Sequence, residues 1–176
     1  MKKTDFPHPN KELAAVCGLY CGACDLYLDT KEGNLARLAE KARTCGKPIE
    51  DVRCLGCRSG TLGYFCREHC FMKPCAQKKG LDFCGACEEY PCSGLRDFQS
   101  IRQHRIELWK NLDRIEEVGY EQWEREMLER YACPECGTIN TAYIPTCREC
   151  GHDPSCAYVD DNLAKIREFS PGYGQP

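Results

Sequence analysis

The chain carries 17 cysteines in 176 residues, a density that belongs either to disulfide scaffolds or to metal-clustered proteins. Compartment decides between the two. The opening MKKTDFPHPN has the charge of an export signal but no apolar stretch behind it, so a cytoplasmic location is expected. Thiols are kept reduced there, and dense cysteine then predicts bound metal. A mean hydropathy of -0.57 predicts no membrane span.

Cysteine placement divides the chain. Twelve lie between Cys17 and Cys92, none between Cys92 and Cys133, and five between Cys133 and Cys156. The expected organisation is a metal-binding module over 1–93, a helical connector over 94–131, a zinc ribbon over 132–160 and a tail over 161–176. In the connector, Leu95, Phe98, Ile101, Leu108, Leu112 and Ile115 recur at three-four spacing, interrupted at Arg105, with Ser93 as N-cap and Gly119 as a break. Two helices docking one stripe on the cysteine-rich part are predicted. A shorter helix is predicted from Asn34 to Thr44, ending near Gly46. The tail after Phe169 is predicted to be disordered.

The C-terminal motif is the most specific. Cys133-Pro134-Glu135-Cys136-Gly137 is followed, after a ten-residue interval between Cys136 and Cys147, by Cys147-Arg148-Glu149-Cys150-Gly151. Each CxxCG turn aims two thiolates at one point, and the glycine permits the positive φ that such a knuckle needs. Two knuckles close a four-sulfur site. The intervening Ile139, Thr141, Tyr143 and Ile144 suit a short β-hairpin, which makes this segment a predicted zinc ribbon. Cys156 is predicted as a small buried residue on a strand with Ala157, Tyr158 and Val159.

The N-terminal cysteines are richer and less determinate. Cys17, Cys21 and Cys24 have CxxxCxxC spacing, yet the chain lacks the length and the strand-helix alternation of a radical-SAM barrel. Cys54 and Cys57 follow. Cys66, Cys70 and Cys75, then Cys84, Cys87 and Cys92, end alike in C-x3-P-C, which suggests a duplication. These eleven thiolates fill two four-sulfur sites and leave a third to be completed by His69 or left open, whereas Cys45, standing apart, would as a twelfth thiolate make three four-sulfur sites. Zinc and iron-sulfur clusters both use such ligands.

The strings CGLYCGACDLY, CLGC and CREHCFMKPCAQKKGLDFCGACEEYPCSGL resemble the cysteine-rich family called domain of unknown function 3795. The resemblance implies a zinc-binding module without an established reaction. The eleven cysteines from Cys17 to Cys92 fall on that family's pattern, and Cys45 does not.

Charge narrows the partners. The formal net charge is -3, and each divalent ion held by four thiolates adds about -2 in site charge. Nucleic acid, which demands a basic footprint, is disfavoured. Trp109, Trp123, Tyr120 and Tyr131 therefore read as core rather than as base-stacking residues.

The resulting expectation is a small, metal-organised α+β protein that binds several zinc ions through Cys17, Cys21, Cys24, Cys54, Cys57, Cys66, Cys70, Cys75, Cys84, Cys87, Cys92, Cys133, Cys136, Cys147 and Cys150. Its expected role is to serve a protein partner, without catalysis. An iron-sulfur electron carrier or accessory protein, with a [4Fe-4S] cluster in the N-terminal module, is the first alternative. Metal or sulfur handling through exchangeable thiolates is the second. Coordination, rather than apolar packing, is expected to supply the shape.

Overall fold

A computed structural model of the protein describes residues 8–174. Among the described residues, eight α-helices follow one another: α1 Asp25–Lys31, α2 Leu35–Cys45, α3 Ile49–Val52, α4 Tyr64–His69, α5 Met72–Lys79, α6 Ser93–Gln99, α7 Leu108–Tyr131 and α8 Ala157–Phe169. Single 3-10 turns stand at Lys11–Leu13, Cys21–Ala23, Cys84–Ala86 and Gln103–Arg105.

Local chemistry explains the helix ends. The Asn34 side chain accepts the Arg37 N–H at 3.2 Å at the start of α2. Gly46 ends the helix in the left-handed region. Helix α6 ends at Gln99, short of the longer stripe read from the sequence. The buried Arg105 side chain donates instead to the Phe98 carbonyl at 2.7 Å. Leu95, Leu108, Leu112 and Ile115 are buried as the stripe requires, whereas Ile101 is 58% exposed. Helix α7 bends at Gly119, where φ is 79° and ψ is 160°.

The expected α+β class and the β-hairpins of a zinc ribbon are not found. Among the described residues there is no strand, only isolated antiparallel bridges between Ala14 and Tyr20 and between Ala132 and Ile139. The physical reason lies between the knuckles. Asn140, Thr141 and Ala142 are buried consecutively, which a half-exposed strand with alternating faces cannot do. Ala157, Tyr158 and Val159, expected in a strand, open α8. The tail also departs from expectation: Tyr173 is buried, while positions 175 and 176 lie outside the described residues.

Apolar packing is more extensive than expected. The largest core joins Leu13, Ala14 and Tyr20 to Trp123 and Tyr131 of α7 and to Tyr158 and Ile166 of α8. Tyr20 meets the Trp123 ring edge-on and the Tyr131 ring at a tilt, both at 6.1 Å, and Tyr131 stacks on Tyr158 at 4.8 Å. One aromatic ladder therefore crosses all three expected segments, contributing about 1 kcal/mol per ring pair beyond area burial. A second core packs Ala15, Cys17 and Met72 against Leu95, Leu108 and Leu112. A third joins Leu38, Ala42 and Val52. None of the described helices is long and apolar enough to cross a membrane.

Candidate metal centre

Each C-terminal knuckle is closed by backbone hydrogen bonds. The Gly137 N–H donates to the Cys133 carbonyl and the Gly151 N–H to the Cys147 carbonyl, both at 2.9 Å. Both glycines have φ of 75°, a left-handed conformation that strains any side-chain-bearing residue. The two turns thus repeat one geometry. Their four sulfurs, from Cys133, Cys136, Cys147 and Cys150, all lie within 4.8 Å of one another. The Cys133–Cys150 and Cys136–Cys147 sulfur pairs are each 3.6 Å apart. A tetrahedral ion with metal–sulfur bonds of about 2.3 Å separates its sulfurs by about 3.8 Å, so the quartet fits a single ion. Cys133 and Cys147 are buried, and Cys136 and Cys150 are exposed.

The surroundings favour negative charge on part of the quartet. Burial would raise the Cys147 thiol, but the Cys150 and Glu149 backbone N–H groups and the Asn140 amide outweigh it and hold it down to about 6. The Thr138 hydroxyl and backbone N–H hold Cys136 below its ordinary value. The His152 backbone N–H favours ionised Cys150, yet burial and the adjacent thiols push that group up to about 12. Four touching sulfurs cannot all ionise alone, because like charges raise one another's pKa. A divalent cation removes that conflict.

Asn140 was not singled out by sequence reasoning. It is fully buried, and its side-chain nitrogen donates to the Thr138 and Ser155 carbonyls, both at 2.9 Å, and lies 3.6 Å from the Cys147 sulfur. Its side-chain oxygen accepts the Arg148 N–H at 3.0 Å. Arg148 reaches onward to the Ile139 carbonyl at 2.8 Å and pairs two-pronged with Glu32 of the N-terminal part. No local motif marks such a hub, since its partners arrive only on folding.

The N-terminal thiols are gathered more loosely. Only the C-terminal quartet, among the described residues, brings three or more potential ligand atoms within 4.8 Å. Cys17 is buried near Cys57, Cys70 and Cys84, and Cys21 near Cys57, Cys24 and Cys54. Cys66 neighbours Cys54 and Cys24. Cys75, Cys84, Cys87 and Cys92 line one cavity. Burial raises Cys17 and Cys21 and pushes Cys24 up to about 11 and Cys66 and Cys84 up to about 12. Without a cation these are neutral thiols at pH 7, and the thiolate is the reactive form.

The remaining candidates stand apart. Cys45 lies against the Tyr64 hydroxyl. His69 is exposed, with its ring 5.4 Å from that of Phe65. Cys156 is buried in the main core at the start of α8.

Residues 13–97 match the model of a family described as protein of unknown function (DUF3795). That match ends before α7 and the C-terminal quartet. No curated protein and no solved structure matches the chain.

Proposed function

We propose that the protein is a zinc-binding module whose C-terminal ion, held by Cys133, Cys136, Cys147 and Cys150, locks the chain into a surface for a protein partner. The observation that carries the reading is the pair of 3.6 Å sulfur contacts across two matching knuckles. Zinc suits four thiolates in tetrahedral array, and a site with all four positions filled by protein leaves none for substrate. Its contribution is stability rather than catalysis. Phe65 and Phe71, 44% and 45% exposed, offer apolar anchors for the partner.

Metal analysis of the full chain and of Cys136→Ser tests the zinc assignment. The substitution is expected to lower bound zinc by one ion per chain. Unchanged zinc content would remove the basis of the reading.

A further inference from the structure

Four cysteines surround a second site of a different kind. Cys75 on α5, Cys84 and Cys87 of one 3-10 turn, and Cys92 before α6 line a cavity of about 40 Å³. That is room for more than a single water, which needs about 10–15 Å³. No three of these sulfurs lie within 4.8 Å of one another. The four residues share this cavity without the close mutual sulfur contacts of the C-terminal quartet. A lone tetrahedral ion draws its thiolates to about 3.8 Å separation. A cluster whose own metal and sulfide atoms fill the middle holds them farther apart.

We infer that Cys75, Cys84, Cys87 and Cys92 ligate an iron-sulfur cluster. The turn that presents Cys84 and Cys87 supports this assignment. The Cys87 N–H bonds to the Cys84 carbonyl at 3.2 Å in a Cys-Gly-Ala-Cys turn, and both cysteines line the cavity. The Lys79 ammonium lies 3.2 Å from the Cys87 sulfur and 3.0 Å from Glu89, so a cationic donor stands beside one of the four sulfurs. Met72, Leu81 and Leu95 supply apolar walls. Walls of that kind limit solvent access, one of the determinants of cluster potential.

The inference rests on the chain being a thiolate metal protein, but it does not depend on zinc at the other end. The test uses the full chain purified without oxygen and reconstituted with ferric iron, sulfide and a thiol that supplies the reducing electrons. Iron and acid-labile sulfide are expected in equal amounts, with visible colour. Cys84→Ser and Cys92→Ser should each remove about one cluster's iron, up to about four atoms; Cys45→Ser should keep it. Should either cavity variant fail to fold, alkylation mapping of the wild type still decides. Cluster loading must then protect Cys75, Cys84, Cys87 and Cys92. Wild-type protein that takes up no sulfide, or a cluster that leaves these four thiols open to alkylation, overturns the inference. Zinc content reads the C-terminal site separately, so failure of one assignment is distinguishable from failure of the other.

Discussion

The Asn140 side-chain nitrogen stands 3.6 Å from the Cys147 sulfur, and both residues are buried. The same amide holds the Thr138 and Ser155 carbonyls, so the candidate ligand and the backbone on both sides of it share one support. Asn140→Ala is expected to weaken zinc binding by about 10–100-fold, the usual scale for an outer partner of a metal ligand. It should also cost about 2 kcal/mol of stability, because buried carbonyls lose their donors. Chelator competition and denaturant unfolding measure the two effects. Unaltered zinc affinity would show that the amide does not support the site.

Tyr20 is an N-terminal residue in a ladder otherwise made by α7 and α8. Tyr20→Ala should destabilise the whole chain by about 3–5 kcal/mol, as expected for a large aromatic removed from a core. Tryptophan fluorescence and far-ultraviolet dichroism should shift together in denaturant. Separate transitions would show that the segments fold independently.

Gly119 lies in a conformation open almost only to glycine. A Cβ there meets nothing within 4 Å, so Gly119→Ala isolates the backbone cost. A loss of about 1–3 kcal/mol is expected, read from the urea midpoint. No loss would mean that the bend relaxes without penalty.

His104 is held neutral. Burial, then the Arg105 and Arg102 cations, push it down to about 3. The Arg105 Nε–H donates to its Nε2 at 3.2 Å, leaving Nδ1 to donate to the Tyr143 hydroxyl. The folded pKa lies below the unfolded one, so the contribution of the neutral ring is complete above about pH 6.5 and is lost as pH falls from there through about 3. Nitrogen chemical shifts of the ring, recorded on zinc-loaded protein, should remain those of neutral imidazole at pH 5.5. A midpoint near 6.5 would contradict the burial account.

The C-terminal quartet was legible because its ligands come in adjacent pairs with the glycine each turn requires. The helix α2 was legible from Asn34 and Gly46, which act on their immediate neighbours. The β-hairpin was misread because Ile139, Thr141, Tyr143 and Ile144 have strand-like side chains. Their backbone instead turns to bury the polar Asn140, and that reward is non-local. Helix α8 left a weaker trace: Tyr158, Val159, Asn162 and Ile166 have helical spacing and are buried, but a polar residue within the stripe hides the period. Packing was underestimated for the same reason. Tyr20 sits beside cysteines in the sequence, while its ring partners lie about a hundred residues away.

Zinc-edge X-ray absorption on the full chain, paired with Cys133→Ser, tests the quartet most directly. Four sulfur neighbours at about 2.3 Å are predicted in the wild type, with that signal lost in the variant. A zinc shell containing nitrogen or oxygen, or a variant that retains four sulfurs at the same occupancy, would contradict the assignment.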